Sequence, residues 1–166
     1  MGVSYVGPRF DLIERQKSNF VQQVSYDSHI KIMKYLQKNK ITGIFEDISR
    51  STDYWRTVPR LQARIIIPAD YSYETRVIYE TGYMKTVMIL YVQNQDAENV
   101  YKQYGLERDI NYIGFSKPEE LDDICKNLES YNLKKMVKKT HNIILKNHTF
   151  EKRVEQFMKI IERYNK

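Results

Sequence analysis

Residues 64–92 read RIIIPADYSYETRVIYETGYMKTVMILYV, from Arg64 to Val92. Two apolar runs, Ile65-Ile66-Ile67 and Val87-Met88-Ile89-Leu90, bracket a segment with helical spacing from about Glu74 to Met84. The runs do not alternate with polar residues, which is the pattern of strands covered on both faces of a parallel sheet. The stretch therefore predicts a strand–helix–strand unit. Pro68, Ala69 and Asp70 fall where the first strand ends, and in open α/β sheets ligands collect at the carboxyl ends of strands. Arg76 and Glu80 are four apart and share one helix face. A cation and a carboxylate there suit a ligand with phosphates at one end and hydroxyls at the other. Such a pair also has an ordinary reading, as a solvated ion pair of small energetic value.

The chain before this unit reads as strand, helix, helix, strand. Val3 to Gly7 is a short strand. Phe10 to about Val24 has helical spacing, and Asp27 or Ser28 offers a cap for a second helix with Ile30, Met33 and Leu36 inward. Ile41 to Phe45 reads as a strand. A short helix through Tyr54 and Trp55 follows, ended or kinked by Pro59, with Trp55 expected as a core anchor. After Val92, Gln93-Asn94 turns into a helix from about Gln95 to Tyr104 that Gly105 can close. Ile110 to Phe115 is the last strand. Ser116-Lys117-Pro118-Glu119 is a capping box with proline in the first turn. Leu121, Ile124, Cys125 and Leu128 form the stripe of the helix it opens. A further helix spans about Leu133 to Lys146. Thr149 caps the last, whose apolar stripe is Phe150, Val154, Phe157, Met158 and Ile161. Strands alternating with helices predict one α/β domain over residues 1–166, with a doubly wound, mostly parallel Rossmann-like sheet, helices on both faces and helices closing the chain.

The composition bounds the function. The 166 residues suffice for one domain with a real core. One cysteine, Cys125, excludes an intrachain disulfide and a multi-cysteine zinc site, and its place in a helical stripe predicts an inert thiol. No apolar run approaches the roughly 20 residues of a membrane span, and no signal segment opens the chain. A cytoplasmic protein is expected. The net charge of +6 favours polyanionic partners. Lys134-Lys135, Lys138-Lys139 and the last helix carry much of it, and a solvated helix face accounts for that. The 14 tyrosines are scattered and accompany no RNA-binding signature, so nucleic acid is not the expected partner.

Several motifs together resemble one family. Arg76-Val77-Ile78-Tyr79-Glu80 before a strand resembles the "Arg-x-Phe-Glu-Ala" helix of GT-B glycosyltransferases, most of all the spore-maturation CgeB-like group. Tyr112-Ile113-Gly114-Phe115 with Pro118-Glu119-Glu120-Leu121 is similar to that group's tyrosine–strand and following Pro-Glu-Glu-Leu helix. Asn147-His148-Thr149-Phe150 with Arg153 and Gln156 resembles its "His-Thr-Tyr-x-x-Arg-x-x-Gln" helix. Val3 to Gly7, with Glu14-Arg15 beyond, looks like the start of the donor-binding, C-terminal half.

The resemblance implies a domain that binds a nucleotide-diphosphate sugar. By it, Glu80 takes the ribose hydroxyls, and Arg76 with the amides near Glu74 and Thr75 faces the diphosphate. Arg9 and Arg15 are further phosphate candidates. Lys85 stands where the family has a glycine, where it would either crowd the donor site or add a phosphate contact. Ser72 stands where the wider superfamily has a second glutamate. Helix-terminal amides and a cation can stabilise a nucleoside diphosphate leaving group without metal, and the chain has no Asp-x-Asp motif. No metal and no cofactor are expected. His148 and Thr149 read as a helix cap. The family's acceptor-binding half is not in the sequence, so the resemblance implies a partner domain or subunit and no transfer by this chain alone. A non-catalytic module that keeps the fold and binds a nucleotide or protein is the second reading.

Overall fold

The computed structural model describes residues 3–5, 20–39, 54–68 and 76–164, and the side chains within them from Ile30 onward. Four strands form one parallel sheet in the order β1 (Val3–Tyr5), β2 (Ala63–Ile66), β3 (Val87–Tyr91), β4 (Ile113–Phe115). Ile65 pairs with Ile89, and Ile89 with Ile113. The helices are α1 (Phe20–Asn39), α2 (Tyr54–Thr57), α3 (Arg76–Tyr83), α4 (Gln95–Gln103), α5 (Glu120–Lys126), α6 (Leu133–Asn147) and α7 (Phe150–Tyr164). A 3-10 turn, Val58–Arg60, extends α2, with Pro59 inside it as the sequence predicts.

The strands alternate their side chains between two apolar layers. Ala63, Ile65, Val87, Ile89, Ile113 and Phe115 pack with Ile32, Met33 and Leu36 of α1 and with Leu121 and Ile124 of α5. Ile66, Met88 and Leu90 pack on the other face with Ile78 of α3 and with Ala97 and Tyr101 of α4. The described helices thus cover both faces of a parallel sheet, which is why the strands read as unbroken apolar runs.

Two helices end in the same way. At the close of α4, Leu106 N–H donates to Tyr101 O and Gly105 N–H to Lys102 O, with Gly105 at φ +78°. At the close of α3, Thr86 N–H donates to Thr81 O and Lys85 N–H to Gly82 O, with Lys85 at φ +59°. Both are Schellman caps, whose left-handed position favours glycine. Only the first has one.

Close approaches lock the layers. A Cβ on Gly82 would lie 2.9 Å from Thr140 Cγ2 and 3.0 Å from Ile144 Cγ1, so glycine is what lets α6 rest on α3. Arg108 covers β4: its Nη2 donates to Gly114 O at 2.7 Å and its Nη1 to Glu98 Oε1 at 3.2 Å. A Cβ on Gly114 would lie 2.8 Å from Arg108 Nε.

Four expectations need correction. Phe20–Asn39 is one continuous helix, with Asp27 and Ser28 inside it. The segment has no glycine or proline, and interior Asp and Ser cost only tenths of a kcal/mol. Trp55 is 55% exposed while its neighbour Tyr54 is 4% exposed. Ser116 meets Glu120 rather than Glu119: its N–H and Oγ donate to that carboxylate at 3.1 and 3.0 Å. Ile110 sits exposed in the turn before β4. The expected strand at Ile41 to Phe45 lies outside the described residues.

Candidate functional site

β2 places Arg64 on the face that α3 covers, and Arg64 is only 1% exposed. A guanidinium so deeply placed requires acceptors, because an unpaired buried charge is costly. Arg64 Nη1 donates to the Tyr54 hydroxyl at 2.8 Å and to Thr81 Oγ1 at 3.1 Å. The Tyr54 hydroxyl in turn donates to Glu80 Oε2 at 2.7 Å. Arg76 Nε meets the other oxygen, Glu80 Oε1, at 2.9 Å. The result is one chain of contacts, Arg64–Tyr54–Glu80–Arg76, running from the sheet interior to solvent.

The two ends differ. The Arg76 side chain is 79% exposed and that of Glu80 only 15%. The pair alone is worth little, since a solvated ion pair contributes about 0–1 kcal/mol. Glu80 owes its placement to Tyr54 and, behind it, to Arg64. Burial pushes the Tyr54 hydroxyl above its ordinary range; the Arg64 charge pulls it down, and the bond to Glu80 raises it again. Tyr54 therefore stays protonated and remains a donor to Glu80. Each Glu80 oxygen holds one partner and has a second lone pair for a ligand hydroxyl.

The structure brings Arg76 and Glu80 together and separates Lys85 from them. Arg76 opens α3, next to the carboxyl ends of the strands. Lys85 caps the far end of that helix, about 12 Å along its axis, where the chain enters β3. Asp70, Glu74, Thr75, Arg9, Arg15 and Ser72 lie outside the described residues. Tyr54, Arg64 and Thr81 are the members that sequence reasoning missed. The signal was present for one of them: a lone arginine in Ala63-Arg64-Ile65-Ile66-Ile67 must find partners if the strand is buried.

The His148–Arg153 motif forms a separate corner. The Arg153 guanidinium can only donate, so His148 Nδ1 accepts from its Nη2 at 3.0 Å. His148 Nε2–H then donates to Tyr104 O at 2.9 Å. The imidazole stacks on Tyr79 with centroids 4.7 Å apart, and Arg153 lies over the Tyr79 and Tyr104 rings. Thr149 Oγ1 accepts from Lys152 N–H at 3.4 Å, and Arg153 Nη1 donates to Gln156 Oε1 at 3.2 Å. His148 and Thr149 close α6 and open α7, as their cap reading anticipates.

A depression of about 370 Å³ lies elsewhere, among Arg108, Gly114, Glu120, Asp123, Asn127 and Tyr131. It does not adjoin Glu80, and it carries no constellation for catalysis. No cluster of three or more His, Cys, Asp or Glu suited to a metal occurs among the described residues. No family model matches the chain, and no curated protein or solved structure matches it.

Proposed function

We propose that the chain is a nucleotide-diphosphate-sugar-binding domain of the GT-B kind, with a doubly wound Rossmann-like sheet, working in the cytoplasm beside an acceptor-binding domain or subunit. The observation that carries this reading is the Glu80 carboxylate. It sits on the helix after β2 of a parallel sheet, held by Tyr54 and mostly shielded from water, with the exposed cation Arg76 beside it. The motif resemblance assigns that same glutamate to the ribose.

Binding would proceed by exchange of partners. Arg76 turns from Glu80 to the diphosphate, where a bidentate contact is stronger than a solvated ion pair. Vicinal ribose hydroxyls then donate to the oxygen that Arg76 leaves, while Tyr54 keeps the carboxylate aimed. With sugar transfer, Arg76 stabilises the charge developing on the departing diphosphate. The acceptor is positioned by the other half, so the chain alone does not turn over.

The test is calorimetry with uridine, guanosine, adenosine and thymidine diphosphates and the bare nucleosides. Glu80→Gln should lose about 10- to 150-fold in affinity, the equivalent of about 1.5–3 kcal/mol for charge-assisted bonds. Arg76→Ala should weaken the diphosphates far more than the nucleosides. Glu129→Gln, on an exposed turn, is the control. A second reading has one observation in its favour: both Glu80 oxygens already accept a hydrogen bond within the protein. If none of the nucleotides binds, Glu80 is a structural acceptor for Tyr54 and the domain is a non-catalytic module.

A further inference from the structure

The chain's net positive charge comes from its end. Residues 131–166 hold ten Lys and Arg against three Glu, a net of +7, which leaves −1 for the first 130 residues. No acidic residue occurs between Glu129 and Glu151. α6 lies wholly in that gap. Lys134, Lys135, Lys138, Lys139 and Lys146 are all exposed, on the side opposite the buried Met136, Thr140 and Ile144. Among the described residues none of the five makes an ion pair. Basic residues on other helices do so, as in Lys126–Asp122 and Lys152–Glu155.

This arrangement works against the helix. Lys134 faces Lys138 and Lys135 faces Lys139 at i, i+4, and like charges at that spacing repel. Two of these lysines also sit in the first turn, where the helix dipole disfavours a cation. Glutamates at positions 134 and 135 alone would relieve both effects. A polyanionic partner relieves them equally.

Most of the exposed apolar surface of the described residues lies in the same stretch. Among the described residues, seven of the ten exposed large apolar side chains fall between Leu145 and Tyr164, so the two features share one stretch of chain. α7 has no buried residue at all. Phe150 is 80% exposed and Phe157 61%. Of the stripe read from the sequence, Phe150, Val154, Phe157 and Met158 are exposed and Ile161 is half-buried. The charges of α7 itself nearly cancel, with Lys152, Arg153, Lys159 and Arg163 against Glu151, Glu155 and Glu162. So α7 offers apolar contact and α6 offers charge.

We propose that the consecutive helices α6 and α7 dock the protein on an anionic lipid surface. The apolar face of α7 enters the boundary between headgroups and acyl chains, and the α6 lysines meet lipid phosphates. Aliphatic residues such as Met158 and Ile160 favour this over a nucleic acid, which needs charge but offers aliphatic side chains little. No described helix is long and apolar enough to cross a membrane, so the association is peripheral.

Vesicle sedimentation with the full chain tests this. The protein should bind vesicles of mixed phosphatidylcholine and phosphatidylglycerol at low salt, lose them as salt rises, and ignore pure phosphatidylcholine. Lys135→Gln with Lys139→Gln should lower binding by about tenfold or more. Phe157→Ser should lower it by about tenfold through lost apolar contact. All three side chains are exposed, and circular dichroism confirms that the variants fold. The proposal is overturned by absence of binding to the anionic vesicles, or by binding that neither variant changes. It is also overturned if duplex nucleic acid binds more tightly and Phe157→Ser leaves that affinity alone. Sedimentation velocity gives a last check: a wild-type dimer that Phe157→Ser dissociates would assign the face to a second copy.

Discussion

Arg153 and His148 are joined by one hydrogen bond, Nη2–H to Nδ1 at 3.0 Å, and that bond sets the state of the imidazole. With Nδ1 accepting, the ring proton lies on Nε2 and serves the Tyr104 carbonyl. Three elements meet there: α3 through Tyr79, the end of α4 through Tyr104, and α7 through Arg153. Tyr79 directly precedes Glu80, so the corner that holds α7 also holds the helix of the candidate site.

His148→Ala should therefore destabilise the fold by about 1–3 kcal/mol, since it strips partners from Arg153 and the Tyr104 carbonyl and removes a stacked ring. Arg153→Ala should cost a similar amount. The double variant should cost less than the sum, with a coupling of about 0.5–3 kcal/mol. Urea denaturation of the four proteins measures it, and strict additivity would show that the contact is not energetically coupled.

Lys85→Gly is expected to stabilise the protein. A left-handed backbone costs an L-residue about 1–2 kcal/mol, while glycine adds about 0.5–1 kcal/mol of unfolded-state entropy. The net gain should be near 0.5–1 kcal/mol, read as a higher urea midpoint at unchanged slope. Gly105, in the same cap one helix later, shows the arrangement that the variant would copy. Nucleotide affinity should not change, because Lys85 lies at the opposite end of α3 from Arg76.

What the sequence shows of this fold is local. Ile65 to Ile67 and Val87 to Leu90 declare buried strands by composition, and Gly105 declares a cap because only its residue type is indifferent to φ. Lys85 hides the equivalent cap behind a side chain that does not prefer it. Tyr54 and Trp55 are adjacent, and size alone favours the wrong one; Tyr54 is inward because Arg64 and Glu80, 10 and 26 residues away, need its hydroxyl. The Arg76–Glu80 pair was legible from its spacing of four, but the support behind it was not. Likewise the stripe of α7 was legible, whereas its exposure depends on what packs nearby.

Cys125 gives a pH dependence with a defined sign. Burial, with a smaller contribution from Asp122, pushes its thiol from 9.0 up to about 11. Between those values the unfolded chain releases a proton that the folded chain retains. The unfolded state then binds fewer protons, and stability falls as pH rises. Stability should decline from about pH 9 to pH 11, and Cys125→Ala should decline less over that window. Tyr54, whose pKa is also raised, adds its loss only above 10. The same protonation should make Cys125 slow to alkylate at pH 8 compared with a free thiol; rapid modification would contradict this placement.

Gly82→Ala sets two effects against each other. In a helix interior the change ordinarily gains about 1 kcal/mol. Here the new methyl would meet Thr140 Cγ2 at 2.9 Å and Ile144 Cγ1 at 3.0 Å, and overpacking costs about 1–3 kcal/mol. Neither neighbour can retreat easily. The Thr140 hydroxyl is tied to Asn111 O at 2.8 Å and to Met136 O at 2.9 Å, and Ile144 is buried. A net loss of about 1 kcal/mol is expected. Thr140→Ser removes the colliding methyl and keeps both hydrogen bonds, at a cost of about 0.5–1.5 kcal/mol for the lost group when made alone. Combined with Gly82→Ala it should recover much of that loss, because the alanine methyl fills the space the threonine methyl leaves. Denaturation of the single and double variants reads the coupling directly. If Gly82→Ala alone raises stability, α6 can move away from α3, and the close contact is not what fixes the helix that carries Glu80.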